Sequence, residues 1–444
     1  MQLVEQHIIQ KGDLRWAELD ALSFAAKNLS NLTNYHIRQD FFKTGNALGW
    51  SKLDKLLQKT DAYTALPAKV AQLVIKSVTD SWSSYFAAHK AWQLEPKKFK
   101  AEPKIPRYKH KEKGRFVLTY NLQAIGKRER RQGVIALSKT NLRFFSKHTR
   151  RACQVRVIPS TSHYTIELVY EKAVQNRKPA TAPLPSRLAS IDIGLDNLAA
   201  IVYNQPGFAP FLVNGRPLKS INQFYHQERA RLVSLLAVEN KTGDHKLDRK
   251  HSHRLNALTT KRNHRINHYL HVASRLIIDE LVKQRVGILV IGKNDGWKQE
   301  INLGKVTNQN FVSIPHARFI EMLTYKAKLE GIQVLLQEEA YTSKCSFLDA
   351  EPLQHQESYV GRRVKRGLFR SAKGIFLNAD VNGAANIMRK AIPNAFAEGI
   401  GAVVVRPVRV TPYQGVSRQV GQVASLIPLP MPVQIRTMSQ LSMF

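Results

Sequence analysis

Residues 2–10, QLVEQHIIQ, alternate apolar and polar positions and predict a strand. From Asp13 to Trp92 the spacing turns helical, most clearly in LPAKVAQLVIKSVTDSWSSYFAAHKAW. Val70, Leu73, Val74, Ser77, Val78, Trp82, Tyr85 and Phe86 fall near one face there, and Pro67 suits a first helical turn. Such a stripe is better read as core than as a binding face. Strand patterns follow at RFVLTYNL (115–122), VIALS (134–138), ACQVRVIP (152–159) and TIELVYEK (165–172). They predict an antiparallel, barrel-like β region that residues 2–10 complete. The helical block 13–92 is then an insertion in a β domain made of 1–12 and 93–177. The Pro-rich stretch QNRKPATAPLPSR (175–187) marks the domain boundary, with the linker itself at 178–187.

Beyond the linker the texture is α/β. LASIDIG, LAAIVYN and PFLVN read as successive strands, and a helical region covers about 218–285. GILVIG (strand), IPHARFIEMLTYKAKLEG (helix), IQVLLQEE (strand), a polar stretch and DVNGAANIMRKAI (helix) complete the pattern. This order predicts an RNase H-like α/β domain over 188–395. Its two later strands follow helical crossovers, so they should be parallel and buried on both faces, as their continuous apolar character requires. The fold class is thus multidomain α+β: a β-barrel-like domain with a helical insertion, then an RNase H-like domain. Residues 396–444 hold four Arg and no Lys and mix Pro, Val, Ser and Gln with little periodicity. They predict a basic tail that is disordered alone.

Charge sharpens this picture. Lys plus Arg number 68 against 33 Asp plus Glu, a formal net charge of +35, while 43% of residues are hydrophobic. Self-repulsion of that size opposes compaction, and a polyanion relieves it. Nucleic acid is the expected partner, bound with strong salt dependence. No apolar run approaches about 18 residues and no signal-peptide pattern opens the chain, so no membrane is expected and a prokaryotic cytoplasmic location is. The two cysteines, Cys153 and Cys345, form no CxxC pair, which argues against a disulfide framework and against zinc. Basic runs mark candidate nucleic-acid contacts. They are Lys97, Lys98, Lys100, Lys104, Arg107 and Lys109; Lys127, Arg128, Arg130 and Arg131; Arg150 and Arg151; and Lys261, Arg262 and Arg265. Trp297 and Lys298 would stack on or clamp a strand, or else pin a loop to the core.

Two carboxylates stand out. Asp192 lies inside the apolar strand LASIDIGLDNLAAIVY, where a lone carboxylate is costly and needs a partner. Asp196, in the turn GLDN, reads instead as a turn-capping residue. Asp380 opens the last helix, where capping and metal binding are compatible. A mid-strand Asp, a strand ending at 291 and an Asp opening the last helix follow the order of a two-metal nuclease. Such a site uses Mg²⁺ held by oxygen ligands to hydrolyse a phosphodiester.

SIDIGLDNLAAI, GRPLKSINQFYHQERARL, KRNHRINHYLHVASRLII, YTSKCS and NADVNGAANIM resemble the TnpB family, the transposon-encoded RNA-guided DNA endonucleases related to type V CRISPR effectors. The resemblance covers about 188–390. Over the N-terminal half only the layout agrees, a wedge-like β domain interrupted by a helical recognition domain. It implies a RuvC-like nuclease that cuts double-stranded target DNA beside a short flanking motif, with a guide RNA and two Mg²⁺ ions. Asp192 then takes the first carboxylate position and Asp380 the third. The sequence departs from the pattern twice. The Glu of the second motif would fall at Gly292, and the zinc module is reduced to YTSKCSFLDAEP, leaving 341–379 as a shortened target-nucleic-acid-binding insertion with no zinc expected.

Several acids stand near the gap. Asp295 and Glu300 follow the strand in a polar turn, and Glu321 lies in the next helix. Glu338 and Glu339 end IQVLLQEE, on a strand that should neighbour the one ending at 291. Side chains alternate faces along a strand. One of this pair would then reach the metals while the other points away, and they are the leading candidates for a relocated carboxylate, as ligand and catalytic group, ahead of Asp295. The competing reading is a nuclease-inactive, RNA-guided DNA-binding regulator. A DNA transposase, acting without RNA, is a third.

Overall fold

The computed structural model describes residues 1–174, 181–242, 252–294, 313–397, 399, 402–412 and 415–416. The chain divides into two compact units, Met1–Ala173 and Val174–Phe444.

In the first unit, β1 (Gln2–Gln10) leads into α1 (Trp16–Thr44), α2 (Trp50–Leu57), α3 (Asp61–Thr64) and α4 (Ala68–Leu94). Then come β2 (Leu118–Asn121), α5 (Lys127–Arg131), β3 (Val134–Ala136), β4 (Arg143–Phe145), β5 (Ala152–Pro159) and β6 (His163–Glu171). β1 pairs antiparallel with β6, so the helices are inserted between strands of one sheet. That sheet has four strands in the order β1-β6-β5-β2, and β3 pairs only with β4. The expected barrel is therefore a four-stranded sheet with a separate two-stranded ribbon. The short β2 and β3 offer too little ladder to close it, and the basic run KRERR forms α5.

The helical stripe is core, as its spacing requires. Val70, Val74, Val78 and Trp82 are buried with Leu19, Ala26, Leu29 and Ile37 of α1. Trp82 Nε1 donates to Asn34 Oδ1 at 2.8 Å, satisfying both buried polar groups.

Residues 106–116, at the end of the basic stretch, are strapped along α1. Asp20 receives two bonds from Arg115, Ser23 donates to the Phe116 carbonyl, and Lys27 donates to the Lys111 carbonyl. Asn31 exchanges two bonds with the Lys109 backbone, and Asn34 donates to the Pro106 carbonyl. Residues 20, 23, 27, 31 and 34 share one helix face. The strap's backbone is thus held while Lys104, Arg107 and Lys109 remain exposed.

The second unit holds a seven-stranded sheet in the order β11-β10-β7-β8-β9-β15-β16. Its elements are β7 (Leu184–Asp192), β8 (Asn197–Tyr203), β9 (Phe211–Asn214), α6 (Arg216–Thr242), α7 (His253–Lys283) and β10 (Val286–Gly292). They continue as α8 (His316–Leu329), β11 (Gln333–Gln337), β12 (Arg362–Lys365), β13 (Leu368–Arg370), β14 (Phe376–Asn378) and α9 (Ala379–Ala391), then β15 (Val408–Thr411) and β16 (Gly415–Val416). β7 runs antiparallel to β8 and parallel to β10, which is parallel to β11. This is the RNase H-like order read from the pattern, and β10 is buried as expected; β11 is not, because it forms the edge of the sheet and Leu336 is exposed. The linker is shorter than expected, because β7 begins at Leu184. Part of the expected tail is also ordered: β15 joins the sheet parallel to β9, burying Val408 and Val410. Residues 417–444 lie outside the described residues.

Strand alternation decides which residues meet which helix. Ala189, Ile191, Leu289 and Ile291 pack into a core with Tyr269, Ala273 and Ile277 of α7 and Phe319 and Leu323 of α8. The residues between them face α9. Leu188 packs with Met388, Ser190 Oγ donates to the Ala384 carbonyl at 2.6 Å, and Ala200 and Val202 pack on Val381, Ala384 and Ala385. Asp192 and Gly292 share this parity, so both belong to the α9 face. No helix among the described residues is long and apolar enough to cross a membrane.

Replacing Trp82, which is 1% exposed, should test the core of the first unit. Trp82→Ala is expected to destabilise it by about 3–5 kcal/mol in urea unfolding of the full chain. A loss below about 1 kcal/mol would show that this core is not closed around Trp82.

Candidate active site

Asp192 ends β7, facing α9. Gly383 permits its close approach, since a Cβ there would lie 2.5 Å from Asp192 Oδ2. Asp380 stands in the first turn of α9, but it is not the cap. The side chain of Asn378 accepts from the backbone N–H of Asp380 and Val381, which leaves the Asp380 carboxylate free of capping. Asn197, at the start of β8, donates to Asp380 Oδ2 at 2.7 Å.

Gly292 ends β10, and the space beside it is filled. A Cβ at 292 would lie 2.1 Å from Glu339 Oε1 and 2.7 Å from Ile387 Cδ1. Glu339 follows the end of β11, the strand paired with β10 in parallel register. Its carboxylate thus leans across β10 into the place that a side chain at 292 would take. Asn294 fixes it there: Asn294 Nδ2 donates to Glu339 Oε2, and the Glu339 N–H donates to Asn294 Oδ1, both at 3.1 Å. Glu339 Oε1 is buried and, among the described residues, accepts no hydrogen bond.

The neighbouring acids go elsewhere. Glu338 has a 71% exposed side chain whose Oε2 lies 3.8 Å from Lys390 Nζ. Glu321 is exposed on α8, which covers the opposite face of the sheet. Asp295, Trp297, Lys298 and Glu300 lie outside the described residues. Strand alternation separates Glu338 from Glu339, and only Glu339 turns toward Asp192.

The electrostatics bind the three carboxylates together. Burial pushes the Asp192 carboxyl well above its ordinary range, and the charges of Glu339 and then Asp380 push it further. Burial raises the Glu339 carboxyl to about 7. One positive charge opposes this at Asp192, that of Arg363 on β12. Crowded carboxylates with one orphaned buried oxygen form a donor set of hard oxygens deficient in positive charge, which fits a divalent cation. As they stand, no three Asp, Glu, His or Cys side chains among the described residues are close enough to form a ready-made metal-binding group.

The segment after β11 is held by polar bonds. Asn382 and Asn386 of α9 both donate to the Cys345 carbonyl, at 2.9 and 2.8 Å, and Asn382 Oδ1 accepts from the Phe347 N–H at 2.9 Å. Glu351 accepts from the N–H groups of Ser346 and Val360, and its carbonyl accepts from Arg389. The Cys345 thiol is buried and donates to the Pro352 carbonyl at 3.3 Å.

Among the candidate nucleic-acid contacts, Lys97, Lys98, Lys100, Lys104, Arg107, Lys109, Lys127, Arg128, Arg131, Arg150 and Arg151 are exposed in the first unit, with Arg130 half-buried. In the second unit Lys261 and Arg265 are exposed. Arg262 is not presented outward: its guanidinium donates to Asn222 Oδ1 and to the Ser313 carbonyl. The sequence reading passed over Asn294, Asn197 and Arg363. The basic run RRVKRG was a visible signal for Arg363, whereas nothing in the pattern singles out one Asn.

Known proteins resemble the chain in sequence and fold. A family model described as a probable transposase (OrfB_IS605) matches residues 167–298, and the Cas12f1-like TNB domain model matches 316–387. A TnpB-like protein of Acidianus two-tailed virus is 24% identical over 437 residues, covering 90% of this chain and 89% of the relative. Over most of its length this chain resembles the TnpB family. A CRISPR-associated endodeoxyribonuclease, Cas12f2 of a Micrarchaeota archaeon, is 25% identical over 244 residues, covering 52% of this chain and 41% of the relative. The cryo-EM structure of a Cas12f1–sgRNA–target DNA complex shares the fold, with a TM-score of 0.52 and 16% identity over 84% of this chain and 83% of that one. With Gly at 292, this chain carries beside that Gly the carboxylate of Glu339, just past the end of the neighbouring strand.

Two outcomes are expected. Gly292→Ala should destabilise the chain by about 1–3 kcal/mol through overpacking, and adding Glu339→Ala should return most of that loss in denaturant unfolding. Separate, additive losses would mean that the two positions do not compete for space. The second outcome concerns pH. With its carboxyl raised from 4.5 to about 7, folded Glu339 keeps a proton that the unfolded chain has released. Without divalent cations, stability should therefore fall as pH rises from about 4.5 to about 7, and fall less in Glu339→Gln. Parallel melting-temperature curves for the two chains would contradict this.

Proposed function

We propose that the chain is an RNA-guided DNA endonuclease whose RuvC-like site uses Asp192, Glu339 and Asp380. The observation that carries the reading is the Glu339 carboxylate standing where a residue-292 side chain would be, its charge acting, with that of Asp380, on Asp192. The named relatives, an endodeoxyribonuclease and an sgRNA–target DNA complex, support a guide RNA and double-stranded target DNA as partners. Binding would begin at a short flanking motif read by the first unit, acting as wedge and recognition domains. The exposed lysines and arginines of 97–109, 127–131 and 150–151 would contact phosphates there, with sequence supplied by base pairing.

At the site, the three acids would hold Mg²⁺, two ions by the family resemblance. Bound there, the metal supplies activation of water and stabilisation of the leaving oxygen in phosphodiester hydrolysis. The protein's own part is placement. Asn294 fixes one oxygen of Glu339 and leaves the other free to ligate. Asn197 orients Asp380, and Asn378 caps α9 so that Asp380 need not. Arg363 brings positive charge to the side of Asp192, where a scissile phosphate would add negative charge.

A second reading, a guided DNA binder without cleavage, is favoured by one observation: the acids do not converge into a ready-made metal group. The two readings part in one experiment. The chain, co-expressed with its flanking RNA, is given a matched target with a randomised flank and Mg²⁺. We expect cleavage by wild type and at least about 100-fold slower cleavage by Asp192→Ala, Asp380→Ala and Glu339→Gln, with target binding kept and Glu338→Gln near wild type. Wild-type binding without cleavage at any Mg²⁺ concentration would establish the binder. Equal target binding with and without RNA would instead favour a transposase.

A further inference from the structure

Asp196 reads in the sequence as a turn-capping residue, and the nuclease reading leaves it without a role. In the structure it is a node. Its Oδ2 lies 2.6 Å from Arg366 Nε and its Oδ1 2.6 Å from Lys219 Nζ, while its carbonyl accepts from the Gly215 N–H at 2.9 Å. The Asp196 carboxylate is therefore held on a fixed turn between β7 and β8. The next residue, Asn197, is the one that grips Asp380.

Arg366 lies at the tip of the β12–β13 hairpin, and Gly367, with φ at +77°, makes the turn. The Gly367 carbonyl accepts from the Ala379 N–H at 3.1 Å, immediately before Asp380. The tip thus spans from the Asp192–Asn197 turn to the start of α9. The two strands of the hairpin are held differently. Phe369 on β13 is 1% exposed, whereas all four residues of β12 are exposed. No apolar anchor fixes the strand that carries Arg363. The ladder also shifts register between Arg363 and Lys365, and such a bulge re-aims the side chains on either side.

We propose that the Asp196–Arg366 ion pair is a positioning contact that docks the β12–β13 hairpin as a wall of the carboxylate site and aims Arg363 at it. An exposed pair between two mobile side chains contributes little. Here the acceptor is fixed by two further bonds, and the tip it holds belongs to the hairpin that carries Arg363, whose positive charge acts on Asp192. Asp196 and Arg366 act through Arg363 and need not touch substrate. The inference rests on the nuclease reading above.

The test uses the full chain with its guide RNA and compares wild type, Arg366→Gln, Asp196→Asn, the double variant and Arg366→Lys. Single-turnover cleavage at saturating complex is measured beside target affinity and hydrogen exchange of residues 362–370. Misplacement of this order should slow cleavage about 10- to 100-fold in each single variant. The double variant should be no slower than either single, Arg366→Lys should recover most of the rate, and target affinity should hold while hairpin exchange rises. Wild-type cleavage by Arg366→Gln, losses that multiply in the double variant, or unchanged hairpin exchange would each overturn the positioning role alone. A wild-type chain that binds target but never cuts would overturn the nuclease reading, and this inference with it.

Discussion

The carboxylate of Glu339 and a side chain at position 292 cannot occupy the same space, and the arrangement of the site depends on that exclusion. β10 and β11 run parallel and end together, so a residue just past one end can reach over the other. With Gly at 292 the way is open. Any Cβ there would overlap Glu339 Oε1, so restoring an ordinary residue on β10 displaces the acid that β11 supplies. The charge that Glu339 brings to Asp192 thus comes from the residue just past the end of β11. Asn294 makes the longer reach definite by bonding both the backbone and the side chain of Glu339.

A similar substitution of means holds the segment that follows β11. Only Cys345 stands where the family resemblance implies a zinc module, and the backbone around it is gathered by amides instead. Asn382 and Asn386, on the α9 face opposite the strands, satisfy the Thr342 and Cys345 carbonyls, and Glu351 satisfies two N–H groups across the loop. Buried backbone groups must be paired by something. Side-chain amides on a helix already fixed by the sheet pair these groups directly. The same helix thus carries Asp380 at its start, the contact with Asp192 at Gly383, and the anchors of this segment.

Much of this was legible in the chain, and particular residues show why. Asp192 and Asp380 declare themselves because an acid inside an apolar strand, and one opening an apolar helix, need a reason to be there. The parity of β7 already places Asp192 opposite Ala189 and Ile191. The choice between Glu338 and Glu339 was not legible, because both alternation patterns fit a strand whose last residue is uncertain by one. Asn294 and the Asp196–Arg366 pair are tertiary contacts between segments that periodicity treats as loops. The barrel expectation failed for a related reason, since strand patterns report alternation but not how many ladder bonds each strand makes. The strapping of 106–116 to α1 was hidden because its charge suggests solvent, while its backbone is what binds the helix. Arg262 misled in the opposite sense: a basic residue on a basic helix, it turns inward to Asn222.

If Glu339 serves as the acid that the family pattern puts at 292, moving the carboxylate back should restore cutting. Mg²⁺-dependent target cleavage is compared between Glu339→Ala and Gly292→Glu/Glu339→Ala. The single variant should be inactive and the double variant should regain cleavage. Cleavage by Glu339→Ala at the wild-type rate would rule out this role for Glu339.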